Sequence, residues 1–395
     1  MRNRWKHRYC RYVVAALMAM STGRASRGEG PSAAGGTGGA RSIGPAGAWS
    51  AESVLTVDHW RSLDHAVDSG LEFLAAQQRS DGSFETLDPA QPAVTSLCVM
   101  AFLSRGQMPG EGPYGERIHR AIDFVLATQQ ASGLLCEIPS GTEEWKLRGS
   151  YNHAIAGLML GEVYGMTDAA RQERVRAAID RALAFSQREQ VERKRSPDDR
   201  GGWRYLSPSV AIDSDLSVTS WHLMFYRSAK NAEFAVPEES IDAAVAYVER
   251  CFDPGPGSFC YGLRGYGRSS FSRSMAGAGI VSLSLAGRHQ SDKARRAGQF
   301  VLGHPFNDFN RGGLTREDRY YYGAYYCSQA MFQLGGDYYA EFYPGLLQTL
   351  VDNQRPDGSW DREANQDGVL GLAYSTSLAI LALTPPYQLL PIYQR

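Results

Sequence analysis

The chain has 395 residues, 43% hydrophobic and 21% charged, with a formal net charge of -1. It is long enough for one large core, and near-neutrality without a basic run in the folded part leaves no electrostatic footprint for nucleic acid. Its six cysteines form no CxxC and no paired metal-ligand spacing, and no HExxH, GxSxG, Walker loop or Rossmann fingerprint occurs, so neither a metal site nor a cofactor is expected.

The chain opens with the basic stretch MRNRWKHRYCR, followed by the apolar run YVVAALMAM. That run is too short to span a bilayer and suits a signal peptide over residues 1–25, cleaved near Ala25. Export to a periplasmic or extracellular space is the expectation; an unstructured basic leader is the alternative. Residues 26–55 are rich in Gly, Ala, Ser and Pro, and read as a linker that cannot bury enough apolar surface to order itself.

From residue 56 to 395 one pattern recurs. Amphipathic stretches (HAVDSGLEFLAAQQ, IHRAIDFVLATQQ, RVRAAIDRALAFSQREQ, ESIDAAVAYVERC, DKARRAGQFVLG, FYPGLLQTLVDNQ) carry apolar residues at helical spacing and charge on the other face. Each is followed by a stretch that is apolar almost all round (VTSLCVMAFLS, HAIAGLMLGEV, SVTSWHLMFYRSA, MAGAGIVSLSLAG, AYYCSQAMFQLGG, STSLAILALT). Six outer-then-inner helix pairs predict an all-α ring, an (α/α)6 toroid. Closure is favoured over an open array because the first and last pairs are the most alike and are hydrophobic, where an open array would carry polar caps.

Asp81-Gly82 and Asp357-Gly358 are turn dipeptides, each followed by Ser and an aromatic, Phe84 or Trp360. Asp bonds its own backbone two residues on and Gly takes the positive φ of a tight reversal. These turns, and GGWRY at 201–205, are expected to staple helix pairs and to carry no chemistry. Cys98 and Cys327 fall in inner helices as small hydrophobes. Cys251 and Cys260 flank FDPGPGSF and, in an exported protein, could close a disulfide across it or remain core thiols.

The segment QRPDGSW resembles the Gln-Trp motif of squalene-hopene and oxidosqualene cyclases, and the helix-pair repeat over residues 60 to 385 resembles the prenyltransferase and squalene oxidase repeat superfamily. More closely, GGWRYLSPSVAIDSDLSVTSW, YYYGAYYCSQAMFQLGGDYY and YSTSLAILALTPPYQLLPIY resemble a group of exported bacterial proteins, typified in planctomycetes, that carry these repeats without an assigned reaction. The resemblance implies a toroid with a central cavity; fold alone does not imply catalysis.

In such a ring the inner helices are parallel, and their N-termini gather unpaired N–H groups and dipoles at one mouth. The residues expected there include Tyr151, Asn152, His153, Asp213, Asp215, Ser217, Arg273, Tyr320, Tyr322, Tyr325, Tyr326 and Tyr374, with Trp221 just below. In class II terpene cyclases an Asp-x-Asp-Asp motif supplies a protonated Asp that donates to an alkene or epoxide. Asp213 and Asp215 match its first two acids, which makes Asp215 the candidate general acid with Asp213 and His153 tuning it. Leu216 stands where the third acid would be. The alternative is that Asp213 caps the inner helix and Asp215 sits in its first turn, with His153 capping its own helix.

Protein prenyltransferases hold zinc through Asp, Cys and His, but Tyr322 stands nearest their His and no Asp-x-Cys pair occurs, so zinc prenyl transfer is excluded. The tyrosines Tyr320 to Tyr326 would either stabilise cations by cation-π attraction or fill the space between inner helices with their hydroxyls at the mouth. The leading expectation is an exported toroid binding an isoprenoid-like or other lipid ligand in an apolar, Tyr-rich cavity, or a protein partner, with an apolar rim able to touch a membrane surface. The alternative is a terpene-cyclase-like enzyme acting through Asp215. A carbohydrate-active toroid ranks third, since it needs two carboxylates facing across the cavity and Glu162 lies too far along its helix to face the Asp213–Asp215 pair.

Overall fold

The computed structural model describes residues 51–207, 212–311 and 318–394. The expected signal peptide and the linker up to residue 50 lie outside the described residues. Among the described residues, twelve helices of eleven residues or more follow a short turn: α1 (Val57–Ala76), α2 (Ala93–Ser104), α3 (Gly115–Ala127), α4 (Glu143–Val163), α5 (Ala169–Val191), α6 (Leu216–Asn231), α7 (Glu238–Arg250), α8 (Arg273–Leu285), α9 (Asp292–Leu302), α10 (Tyr320–Leu334), α11 (Gly336–Asp352) and α12 (Gly371–Leu383).

Apolar periodicity sorts them into two layers. In α3 the side chains of Ile118, Ala121, Ile122 and Val125 are buried while Glu116 faces solvent, whereas in α2 every residue is buried. Each even-numbered helix packs against the next, and α12 returns to α2; on the outside α11 returns to α1. The ring is therefore closed, as an (α/α)6 toroid. Neighbouring inner helices run the same way, since Gly157 and then Gly161 of α4 meet Phe225 and then Ser228 of α6. The stretch Gln366–Leu383 has the length and composition to cross a membrane, but 67% of it is buried in the protein. It is core.

A staple recurs at the turns. Ser83 N–H and Oγ donate to Asp81 at 2.9 and 2.7 Å, and Ser359 does the same to Asp357 at 3.0 and 2.6 Å. Four residues before each turn glycine, a glutamine amide donates twice: to the glycine's own carbonyl and to a backbone carbonyl of the next outer helix. Gln78 reaches Gly82 and Arg117 (3.0 and 2.8 Å), Gln129 reaches Gly133 and Ala178 (3.1 and 2.9 Å), and Gln354 reaches Gly358 and Ala66 (2.8 and 2.8 Å). Gln190, across the longer loop, reaches Gly201 and Ser240 (2.9 and 2.8 Å). Gly82 and Gly358 hold φ of 93° and 85°. A β-carbon at either would land against a backbone carbonyl oxygen, of Arg120 or Ser69 respectively.

Past the turn, the next chain segment bonds the inner helix. The amides of Phe84, Trp203 and Trp360 donate to Thr95, Thr219 and Thr376 Oγ1 at 3.0, 3.0 and 3.2 Å. In the second pair Leu135 donates to His153 Nδ1 at 3.1 Å. His153 thus occupies the position that threonine holds in three other pairs.

Two boundaries differ from expectation. Helix α4 starts at Glu143, because Thr142 accepts from the Trp145 amide at 3.2 Å and caps it there; Tyr151, Asn152 and His153 therefore lie about two turns inside the helix and not at its start. Helix α6 is capped by Asp215, not Asp213: Asp215 Oδ1 accepts from Val218 N–H at 2.8 Å.

The C-terminal ends of the inner helices are covered by the segment after α12. Ile392, buried, donates its amide to Glu162 Oε2 at 3.1 Å, Ser228 donates to Glu162 Oε1 at 2.6 Å, and Tyr393 OH bonds Tyr325 OH at 2.7 Å. Burial pushes the Glu162 carboxyl up to about 7 against the bonds from Ser228 and Ile392 that lower it. Glu363 is likewise pushed to about 7 by burial, opposed by the Tyr320 and Tyr321 amides it accepts at the start of α10 (2.8 and 3.1 Å).

Gly358→Ala should lower unfolding free energy by about 2 kcal/mol or more, from φ strain plus the carbonyl clash. Gly165→Ala is the control: φ is 86° with nothing within 4 Å, so it should lose only about 1 kcal/mol of strain, and equal losses in a urea titration would remove the staple argument. A carboxyl whose folded value exceeds its unfolded one binds its proton more tightly when folded. The contribution of Glu162 and Glu363 is therefore complete below the ordinary value of 4.5 and is lost as pH rises through about 7. Stability should fall between pH 5 and 8 by on the order of 3 kcal/mol per group, and Glu162→Gln with Glu363→Gln should flatten that slope in pH-dependent denaturation.

Candidate functional site

The axis of the ring carries a ladder of aromatic rings and hydroxyls from α4, α6 and α10. Tyr151 OH donates to Ser217 Oγ at 2.9 Å, Ser217 Oγ bonds Tyr322 OH at 2.8 Å, and Trp221 Nε1 donates to the same Tyr322 oxygen at 2.8 Å. One turn deeper Ser220 Oγ bonds Tyr326 OH at 2.8 Å, and the Trp221 and Tyr325 rings stack with centroids 5.7 Å apart. Trp221, Tyr325 and Tyr326 are fully buried. Helical spacing puts Tyr322 and Tyr326 on one stripe of α10 and Ser217 and Trp221 on one stripe of α6, so the two stripes interlock.

Above this ladder, loop residues converge on the cap of α6. Asp215 has no exposed surface; Arg204 donates to its Oδ2 at 3.0 Å and Tyr261 OH donates to the same oxygen at 3.0 Å. The Arg204 guanidinium lies over the Tyr205 ring at 4.4 Å, faces Tyr261 at 5.6 Å and donates to Tyr266 OH at 2.9 Å. Tyr205 OH bonds Tyr261 OH at 3.3 Å. Burial pushes the Asp215 carboxyl up, while Arg204, the Val218 amide and Tyr261 pull it down. Every named partner is a donor, so the side chain is surrounded as a carboxylate is and no acceptor is placed for an acid O–H.

Tyr151, Tyr205, Tyr261 and Tyr322 keep partial exposure. Burial nevertheless raises all four phenols, and the Asp215 charge adds to the rise. They stay neutral and can donate or accept.

The three candidate catalytic residues are not brought together. Asp213 faces Arg195, which binds it through its guanidinium and through its amide at 2.8 Å, and this pairing holds its carboxyl below the ordinary range. His153 bonds Leu135 and Ser186 (Nε2 to Oγ, 2.9 Å), and burial lowers its ring to about 3. Its neighbour through Ser186 is His222, whose Nδ1 is 3.2 Å from the same Oγ and whose Nε2 is 3.1 Å from Ser150 Oγ. Because the Leu135 amide occupies His153 Nδ1, the proton sits on Nε2. The order is then set: His153 donates to Ser186, Ser186 to His222, and His222 to Ser150.

The candidate binding residues divide as well. Asn152 ties α4 to the segment before α2, donating to Pro89 O at 3.2 Å and accepting from the Ala93 amide at 3.4 Å. Arg273 is buried, pairs with Asp318 at 2.6 Å, donates to Pro305 O at 2.9 Å and lies 3.8 Å over Phe306. Tyr320 is buried with its OH on Phe306 O at 3.1 Å, and Tyr374 is buried in the first turn of α12. Tyr151, Ser217, Trp221, Tyr322, Tyr325 and Tyr326 do share the ladder. Sequence reasoning missed Arg204, Tyr205 and Tyr261. The signal was present in GGWRY and in SFCY, where a turn is followed at once by residues that reach the start of α6.

No family model matches the chain, and no curated protein matches it. Solved structures do. The type II terpene cyclase MstE from Scytonema, in complex with geranylgeranyl dihydroxybenzoate, is 14% identical, with 85% of this chain and 100% of that one covered and a TM-score of 0.55. A D-mannose isomerase is 13% identical over 85% of this chain and 99% of its own, TM-score 0.59. An α-mannanase of glycoside hydrolase family 76 from Bacteroides thetaiotaomicron is 10% identical over 82% and 96%, TM-score 0.56. What this chain shares with all three is the α/α toroid, of the kind found in the type II terpene cyclases.

Proposed function

We propose that this chain is an exported binding module whose tyrosine-lined mouth takes a ligand with an unsaturated, isoprenoid-like hydrocarbon chain. One observation carries the reading: four tyrosines from separate segments, Tyr151, Tyr205, Tyr261 and Tyr322, keep surface at a desolvated cluster centred on Ser217 and Asp215. Neutral phenol faces suit a polarisable alkene chain, and the hydroxyls suit a polar head. The fold likeness to a cyclase that holds a geranylgeranyl substrate supports the ligand class, and the basic-then-apolar leader supports export. The filled axis below Tyr322 limits the ligand to the mouth.

The second reading is a cyclase with Asp215 as general acid, favoured by the Asp-Ser-Asp segment at the start of α6. The donor-only surroundings of Asp215 weigh against it. Protonating an alkene needs a neutral acid with its hydrogen free, and a guanidinium 3.0 Å away favours the charged form.

Native mass spectrometry with lipid extraction, on protein purified from its own compartment, should find an isoprenoid-sized lipid. Titration with a geranylgeranyl probe, read by tryptophan fluorescence, should saturate, and Tyr322→Ala or Tyr261→Ala should weaken it by about tenfold or more. An empty protein with no saturable titration would remove the binding reading. Asp215→Asn should cost about 3 kcal/mol of stability, because it leaves the buried Arg204 without its counter-charge, and incubation with the probe should yield no cyclised product in either protein. Product from wild type that vanishes in Asp215→Asn would establish the cyclase instead.

A further inference from the structure

The loop between α7 and α8 holds a second pair of reactive groups away from the mouth. It begins as a two-residue antiparallel hairpin, β1 (Phe252–Asp253) and β2 (Ser258–Phe259), with Phe252 opposite Phe259 and Asp253 opposite Ser258. That register sets Cys251 opposite Cys260, and the Cys260 amide donates to the Cys251 carbonyl at 2.9 Å. Both side chains are buried.

The sulfurs are not equivalent. Arg268 Nη1 lies 3.7 Å from Cys260 Sγ, and the same guanidinium pairs with Asp253 at 3.1 Å, so it bridges the hairpin and holds positive charge beside one sulfur. The Cys251 S–H and this guanidinium both favour a thiolate at Cys260 and lower it, while burial raises Cys251. As a thiol, Cys260 donates to Gly262 O at 3.4 Å. Cys98 and Cys327 have no such setting: burial raises both, and each sits in an inner helix with a backbone carbonyl for its S–H. Both cysteines are buried, and three register positions on, the hairpin tip Pro254–Gly255–Pro256 is exposed.

We propose that Cys251 and Cys260 are a thiol–disulfide couple, with Cys260 as the attacking sulfur and Cys251 as the resolving one, that closes by exchange with a low-molecular-weight disulfide. In the first step Cys260 S⁻ attacks one sulfur of the donor disulfide; a mixed disulfide forms, the donor S–S bond breaks and one donor thiolate leaves. In the second, Cys251 loses its proton to that thiolate and attacks Cys260 Sγ; the Cys251–Cys260 bond forms and the second donor thiolate leaves, taking from solvent the proton that Cys260 released on ionising. Two protein thiols are oxidised and one donor disulfide is reduced to two thiols.

The consequence reaches the mouth through sequence adjacency. Tyr261 follows Cys260; its carbonyl accepts from the Leu216 amide at 2.8 Å at the start of α6, and its hydroxyl bonds Asp215. Closing the couple pins this segment at one end.

The test uses the reduced, folded full chain exposed to glutathione disulfide, then unfolded and treated with a maleimide without reductant. Cys98, Cys136 and Cys327 should label, whatever the state of Cys10, and mapping should recover the Cys251 and Cys260 peptides joined and two hydrogen atoms lighter. Label on both Cys251 and Cys260 would overturn the couple, with no variant needed. The order of attack is read separately: Cys251→Ser should accumulate one glutathione on Cys260 at least about tenfold faster than Cys260→Ser accumulates it on Cys251. Equal rates, or the reverse order, would overturn the assignment of the attacking sulfur.

Discussion

A glutamine amide shared between two carbonyls ties outer helix to outer helix at four of the six joints of this ring. Outer helices present charged faces to solvent and bury only a stripe, so side-by-side apolar contact between them is slight. The amide of Gln78, Gln129, Gln190 or Gln354 closes its own turn with one hydrogen and grips the neighbouring helix with the other. Glycine at the turn lets the chain press against that neighbour's backbone. The last of the four joins residue 354 to residue 66, which turns a stack of helix pairs into a closed ring without free end faces.

The same repeat logic accounts for the buried histidine. His153 stands where Thr95, Thr219 and Thr376 stand, doing their job of accepting the amide that follows the turn. Its second nitrogen then has a free donor in a desolvated place, and Ser186, His222 and Ser150 satisfy it in a chain of fixed direction. A position that looks chemical in one repeat is structural when its equivalents are lined up. Three ordinary threonines make the case.

At the mouth, the charge that a cyclase would keep as an acid is matched by a guanidinium. Burying Asp215 and Arg204 together takes both out of water, a cost offset only because Val218, Tyr261 and Tyr266 supply further bonds and two phenol rings flank the cation. Below this pair the aromatic ladder fills the axis, and beyond it Tyr393 and Ile392 cover the far end over Glu162. Polar bonds at both ends and interlocked rings between them give the inner barrel one arrangement of its aromatic side chains.

Helical periodicity was enough to determine the layers, their number and their alternation, because a 3.6-residue apolar stripe and an all-round apolar stretch answer to different surroundings wherever the chain places them. The turns were legible for a similar reason: Asp-Gly-Ser chemistry is local. Partners were not. Whether Asp213 or Asp215 caps α6, that Arg204 rather than His153 meets Asp215, and that Arg273 belongs to Asp318 depend on which residues distant in sequence arrive within 3 Å, and side-chain type carries no record of that. The tyrosines of α10 could be read as ligand faces or as packing from sequence; in the folded ring the same stripe supplies Tyr322 to the mouth and buries Tyr326 one turn down, a division set by how deeply α6 and α10 interlock and written only in three dimensions.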